Sequence, residues 1–241
     1  MKMEIINIPF ELNIKSLAKT GRLEIGTGDA MEFEDLVNKA RLVARPKALY
    51  KECFVEKKGR DTVTIDKVTF TSRVLRMNLD KVERVFAYVA TCGHEVDRIE
   101  IPQDNYLKKF WLDTIKAALL GFSIGYLNKL LDRRYKLDKT SHMNPGSGDA
   151  NIWPIEQQRE LFSLFGNVED LIGVSLTDSC LMIPNKSVSG ICFPTEINFQ
   201  SCQVCHRKKC PSRRAPFDMA LWKSVGYRPL SGVKCADNSN G

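Results

Sequence analysis

Cys202, Cys205 and Cys210 form a Cys-x2-Cys-x4-Cys run, with Pro211 directly after the third and Cys235 further along the same tail. Three thiolates at this spacing can converge on one soft metal centre, and a cysteine followed by proline is common among iron–sulfur ligands. Cys235 is the natural fourth ligand, with His206 in reserve. An iron–sulfur cluster is the preferred occupant. A structural zinc, held by four cysteines or by three and a histidine, is the alternative, and unliganded thiols come third. Arg207, Lys208, Lys209, Arg213 and Arg214 surround the run without an acidic residue among them. They would offset the charge of thiolates and sulfides and attract an acidic redox partner. Zinc knuckles flanked by Arg and Lys also bind nucleic acid. No aromatic residue stands between Cys202 and Arg214 to stack on a base, which argues against that role. Cys53, Cys92, Cys180 and Cys192 stand singly among apolar neighbours and read as buried, inert thiols.

A second group with ligand-binding character is the turn-rich loop from Met143 to Asp149, in which Gly146 and Gly148 permit close backbone approach. A third is the ordered series Leu176, Thr177, Asp178, Ser179, then Pro184, then Ser187, Val188, Ser189, Gly190 and Phe193. Together with Ala90, Thr91, Cys92 and Gly93 after an apolar strand, these residues resemble the activation domain of cobalamin-dependent methionine synthase. The likeness is greater still to free-standing relatives of that domain. It runs over most of Val85 to Phe193, and the first eighty residues match only in general character.

The resemblance implies a fold and a chemistry. The fold is α+β, a curved antiparallel sheet flanked by helices, expected over 1–198, with 199–241 as an added Cys-rich, metal-binding segment. The chemistry is reductive reactivation of a corrinoid (vitamin B12) methyltransferase or corrinoid protein. S-adenosylmethionine (AdoMet) is presented to a partner's cobalamin while Co(II) takes up one electron. Co(II) is too poor a nucleophile to attack a sulfonium methyl, and its reduction is uphill. Coupling that reduction to irreversible methyl transfer pulls it forward. If catalytic, the chain would carry out AdoMet-dependent reductive methylation. The ligand residues that follow are Lys139, Asn144, Pro145, Gly146, Gly148 and Asp149 from the loop, and Ser187, Ser189 and Gly190 from the turn. Where the family has an Arg before its Gly-Tyr-Pro loop and a Tyr within it, this chain has Lys139 and Asn144. Lys139 would meet a carboxylate as a point charge, not a fork. The tail thiolates would supply the electron that a flavodoxin gives elsewhere. The competing function is a zinc-stapled module that docks a corrinoid protein or nucleic acid without redox chemistry.

Positioning these groups requires a set of elements. Leu36, Val37, Ala40, Val43 and Ala44 predict a helix from Glu34 that Pro46 stops. Tyr50–Val55 and Thr62–Phe70 read as two strands joined by a turn over residues 57–61, and Val85–Ala90 as a buried strand. From Asn105 to about Tyr135 the pattern is helical, as one helix or as two meeting near Gly121–Gly125. Ala117, Gly121 and Gly125 share one face there, as tight core packing would require. Residues 136–151 read as loop. Asn151 is placed to cap a helix containing Pro154, Leu161, Leu164 and Phe165. Ser179–Ile183 and Val188–Phe193 suit a hairpin, and a last helix falls near Ala215–Val225. A polar tail, Asp237–Gly241, reads as frayed.

Bulk properties exclude several classes. With 241 residues, 43% of them hydrophobic, and a net charge of +7, the chain can bury one sizeable core. Ile115–Leu131 is interrupted by Lys116, Ser123, Asn128 and Lys129, which argues against a membrane span. The N-terminus shows no secretory leader, so a cytoplasmic setting is expected. The three histidines, His94, His142 and His206, are too scattered to suggest a catalytic pair, and a solvent-facing position is expected for His94. Neither a dinucleotide or phosphate-binding glycine motif nor a Gly-x-Ser-x-Gly elbow is present. Trp111, Trp153 and Trp222 read as core or interface residues.

Overall fold

The computed structural model describes residues 2–23, 27–149, 152–196, 199–207, 209–210 and 213–224. Its centre is an open antiparallel sheet of seven strands. β1 (Met3–Asn7), β2 (Lys47–Lys58), β3 (Thr62–Ile65), β4 (Val68–Thr71), β5 (Arg84–Thr91), β6 (Thr140–Met143) and β9 (Ser187–Pro194) run in the spatial order β4-β3-β2-β5-β9-β6. β1 pairs with the first half of β2 and β3 with the second half, so both lie along the same long strand. A separate two-stranded sheet joins β7 (Ser175–Leu176) to β8 (Met182–Ile183).

Pleating divides the strand residues between two cores. Leu49, Cys53, Val85, Ala87, Val89, Ile191 and Phe193 point to one face. There they meet Trp153, Leu161 and Phe162 of α5 (Gln158–Ser163) and its approach, and Ile172 of α6 (Val168–Ile172). Phe199 and Val204 of the tail enter the same core. On the other face, Ala48, Tyr50, Phe86, Tyr88, Ala90 and Cys192 pack against Leu127 and Leu131 of α4 (Tyr106–Tyr135). Covering on both faces explains why β5 reads as a continuous apolar run and not as an alternation.

α4 is one helix of 30 residues, capped by the Asn105 carboxamide on the Lys108 amide and closed by Lys136 in the left-handed region at φ 52°. Trp111, Ile115, Leu119, Leu127 and Leu131 recur at four-residue spacing and form its buried seam, with Ser123 donating to the Thr91 carbonyl at 2.9 Å. The front half of that seam meets Phe33, Leu36, Val37 and Ala40 of α2 (Gly28–Val43), and Leu17 and Ala18 of α1 (Ile14–Thr20). α3 (Arg73–Asn78) is capped by Ser72, whose hydroxyl donates to the Ile152 carbonyl at 2.6 Å and thereby ties the helix to the far side of the candidate loop.

Several sequence expectations need correction. Thr62–Phe70 is two strands, because Asp66 and Lys67 adopt positive φ and turn the chain between them. Residues 136–151 are not all loop: Thr140–Met143 is an edge strand on β9, and the polar pattern of Thr140, Ser141 and His142 concealed it. The predicted hairpin does not form. Met182–Ile183 pairs backward with Ser175–Leu176, while β9 pairs with β5 and β6, since the long buried strand gains more contact inside the main sheet. Ala117, Gly121 and Gly125 are exposed, and a Cβ on either glycine would meet nothing within 4 Å among the described residues, so their stripe is not core packing there. The α2 helix begins six residues earlier than read, where Thr27 caps it. Asn151 and the Asp237–Gly241 tail lie outside the described residues.

Candidate functional site at the edge of the sheet

The site is built on the register of three strands. Tyr50 pairs with Tyr88, and Tyr88 with Gly190, so the missing side chain at Gly190 leaves room above the sheet. Asn144, the first residue after β6, fills it. Its Nδ2 donates to the Tyr88 hydroxyl at 2.9 Å and to the Ser189 carbonyl at 2.6 Å. A Cβ on Gly190 would collide with Asn144 Nδ2 and stand 2.5 Å from the Met143 carbonyl oxygen. Glycine is therefore a steric requirement here.

From Asn144 the loop turns outward. The Ser147 amide donates to the Asn144 carbonyl at 3.1 Å and the Gly146 amide to the Trp153 carbonyl at 2.8 Å. Gly146 and Gly148 have φ of 73° and 87°, values that L side chains rarely adopt. Pro145 is buried, whereas Gly146, Ser147 and Gly148 are exposed and present backbone amides and carbonyls at the rim. Asp149 accepts the Ile152 amide through its carbonyl at 2.9 Å and closes the loop.

The remaining predicted residues are distributed differently. Ser187 shares a hydrogen bond with Thr91 at 2.9 Å, and Ser189, buried, donates to Gln158 at 3.0 Å; Gln158 in turn donates to the Cys180 carbonyl. Both hydroxyls are thus committed within the protein. Lys139 is exposed and precedes β6, where its carbonyl accepts from Thr195 at 3.1 Å. It stands at the opposite end of β6 from Asn144, its backbone roughly 16 Å away at about 3.3 Å per strand residue. His94 lies elsewhere, half-buried, with its ring against Gly173 and Nε2 3.4 Å from Arg98.

The tail returns to this edge. Ser141 donates to the Phe199 carbonyl at 3.1 Å, and a single 3-10 turn, Ser201–Val204, carries Cys202 and leads directly into Cys205. The Gln200 and Gln203 side chains cap it reciprocally. Arg213 winds the segment into a knuckle. Its guanidinium donates to the carbonyls of Cys202 (3.0 Å), Cys205 (3.2 Å), Ala215 (3.2 Å) and Arg207, and its amide donates to the Cys210 carbonyl at 3.2 Å. The Arg214 amide points to Cys202 Sγ at 3.4 Å. Among the described residues no three His, Cys, Asp or Glu side chains form a ready metal cage; Cys235 lies outside them.

Two titratable groups lie buried beneath the loop's anchor. His142, on the same face as Tyr88 with ring centroids 5.6 Å apart, is held down to about 4, first by burial and then by the positive charge of Arg214. Burial pushes the Tyr88 phenol above its ordinary range, countered in part by the Asn144 hydrogen bond. Both groups are therefore neutral near pH 7.

Sequence reasoning missed Tyr88, and it named His142 and Arg213 without placing the one against Tyr88 or the other on the cysteine carbonyls. The period-two alternation through β5 and β9 carried a signal for Tyr88, since it places that residue across from Gly190. It also missed an aromatic cluster. His206 packs at 4.7 Å from Phe217 and 4.8 Å from Trp222, contributed by the segment at α7 (Met219–Ser224), so aromatic rings do flank the cysteine turn. A groove elsewhere, lined by Pro9, Gly121, Phe122, Gly125, Tyr126 and Lys129, runs along α4 and carries no such polar convergence.

Residues 129–207 match the family model of the vitamin B12 dependent methionine synthase, activation domain. The matched stretch contains β6, the candidate loop, β9, Cys202 and Cys205. A solved structure, the MetH reactivation domain bound to AdoHcy, is similar over 83% of this chain and 81% of its own, with a TM-score of 0.55 and 15% sequence identity. The chain has the activation-domain fold. That likeness bears out the α+β architecture and the resemblance read from the sequence. No curated protein matches the sequence. Among the described residues no helix is long and apolar enough to cross a membrane.

Proposed function

We propose that this protein reactivates a corrinoid methyltransferase or corrinoid protein, binding AdoMet at the Met143–Asp149 loop and admitting one electron to the partner's Co(II). The observation that carries this reading is the overlap of the family match with the anchored loop: residues 129–207 contain the whole Asn144–Asp149 segment and the strand it is fastened to. The structurally similar MetH reactivation domain is bound to AdoHcy, the demethylated form of the same ligand.

The residues fit such a ligand in part. Exposed backbone at Gly146–Gly148 can meet polar edges of a nucleoside. Asn144 acts as a positioning residue, because both its donor bonds are already made to the sheet. AdoMet supplies a methyl whose carbon–sulfur bond breaks with the electron pair left on sulfur. The electron for cobalt comes from a reduced, acidic carrier protein, for which the basic tail is the docking side. Were Cys202, Cys205, Cys210 and Cys235 to hold an iron–sulfur cluster, it would supply one-electron chemistry and residues 199–241 would be a redox appendage, in a cytoplasmic setting; among the described residues the first three are not gathered into a metal-holding group.

Calorimetry with anaerobic full-length protein tests the ligand. AdoMet should bind, and Asp149→Ala should weaken binding more than Lys139→Ala; absence of heat would remove the reading. Colour tests the redox half. A broad brown absorption that dithionite bleaches is expected, and a colourless zinc protein that still associates with a corrinoid protein would instead establish a docking module.

A further inference from the structure

The nucleoside of AdoMet has exposed loop backbone to meet, but the amino-acid end of the molecule carries a carboxylate, which calls for a cation. The loop supplies none. From Thr140 to Gln158 the sequence has neither Lys nor Arg, and the buried His142 is neutral near pH 7. Lys139 stands at the far end of β6. A cation for this site has to come from another segment.

The tail is a segment that reaches the loop. Ser141 of β6 donates to the Phe199 carbonyl at 3.1 Å, and a Cβ placed on Gly148 would stand 3.6 Å from Cys205 Cβ and 3.7 Å from the Ser201 carbonyl oxygen. Arg214 is fastened to the same turn, its amide 3.4 Å from Cys202 Sγ. Its neighbour Arg213 cannot serve, because that guanidinium is occupied by the carbonyls of Cys202, Cys205, Arg207 and Ala215. Arg214 differs. It is exposed, and among the described residues its guanidinium makes no hydrogen bond or ion pair. Its positive charge bears on both His142 and Tyr88, the two groups beneath Asn144, which places it on the side where the loop begins.

We infer that Arg214 binds the carboxylate of AdoMet beside the Met143–Asp149 loop, an assignment that rests on reading that loop as the AdoMet site. The site then has two halves, the loop for the nucleoside and the tail for the amino acid. A guanidinium offers two parallel N–H donors to the two oxygens of a carboxylate, a geometry that lysine cannot reproduce. Since those donors are not already bonded among the described residues, no such internal bond has to break when the carboxylate arrives. The sulfur lies between the two ends of the ligand, so holding both ends orients the methyl group that is to be transferred.

Calorimetry on the full-length protein tests this with AdoMet, AdoHcy and 5′-methylthioadenosine, which keeps the nucleoside and the sulfur but has no carboxylate. The parent should bind the first two more tightly than the third. Arg214→Gln should weaken AdoMet and AdoHcy about tenfold or more and leave 5′-methylthioadenosine unchanged. Arg214→Lys should recover part of the loss, and Arg207→Ala and Lys209→Ala should not reproduce it. Unchanged binding of 5′-methylthioadenosine also shows that the Arg214→Gln protein is folded; should that variant fail to fold, Arg214→Lys carries the same comparison. Equal losses for all three ligands would make Arg214 a support of the loop and overturn the inference. AdoHcy bound no more tightly than 5′-methylthioadenosine, or equally well by Arg214→Gln, would overturn it too. So would an equal loss in Arg207→Ala, which would mean a diffuse positive field in place of a fork. If none of the three ligands binds the parent, the loop reading itself falls and takes this assignment with it.

Discussion

Asn144 Nδ2 lies 2.9 Å from the Tyr88 hydroxyl and 2.6 Å from the Ser189 carbonyl, directly over a position where Gly190 has no side chain. One carboxamide thereby joins β5, β9 and the start of the candidate loop. Replacing Tyr88 by Phe removes one of its partners and should cost about 1 kcal/mol, and Asn144→Ala, which leaves two acceptors unmet, about 1–3 kcal/mol. Gly190→Ala should cost more than either, because its Cβ collides with both Asn144 and the Met143 carbonyl. Urea unfolding of the three variants checks the order; a Gly190→Ala protein as stable as the parent would refute the steric argument.

His142 gives the fold a pH signature. Its folded value of about 4 lies below the ordinary 6.5, because burial and Arg214 disfavour the imidazolium. Between these values the unfolded chain binds more protons than the folded one, so stability rises with pH across the window and is lost as pH falls from about 6.5 to 4. The loss should be roughly 1–3 kcal/mol. His142→Phe keeps a ring against Tyr88 but cannot titrate. Its unfolding free energy should be flatter over pH 4 to 6.5, and an unchanged slope would place the proton uptake elsewhere.

The cysteines should separate by reactivity. Burial pushes Cys53 and Cys192 up to about 12 and Cys92 up to about 11, and Cys180 is likewise buried. Cys202 and Cys210 are partly exposed. Brief iodoacetamide treatment of native, metal-free protein should alkylate Cys202 and Cys210 and leave those four intact, because the thiolate is the reactive form. Peptide mapping reads the result, and early labelling of Cys53 or Cys192 would contradict the packing described.

How much of this was legible beforehand follows from the kind of signal each residue carries. Long apolar patterns gave α2, α4 and β5, since burial on a face repeats along the sequence. The Thr177 to Gly190 series gave the fold through resemblance. β6 was hidden because an edge strand of Thr, Ser, His and Met carries little hydrophobic alternation, and only its partner β9 identifies it. The candidate loop was found by its glycines and proline. Its anchor was not, because the Asn144–Tyr88 contact spans 56 residues and depends on strand register. Arg213 was read as a charge offsetting the thiolates, whereas its guanidinium is spent on backbone carbonyls of the cysteine turn.

The two glycines of α4 lead to a last expectation. Gly121 and Gly125 have no need of positive φ, since both lie within a regular helix, and no neighbour among the described residues comes within 4 Å of where their Cβ atoms would stand. Neither backbone freedom nor packing among the described residues accounts for them. In a helix interior each glycine costs about 1 kcal/mol relative to alanine. Gly121→Ala and Gly125→Ala should therefore each stabilise the protein by about that amount. For a chain of this size that means a rise of roughly 2–4 °C in Tm per substitution, additive in the double variant if the sites are independent. Differential scanning calorimetry decides it. A double variant no more stable than the parent would mean that the α4 face is already covered in solution, where added methyl groups would meet something.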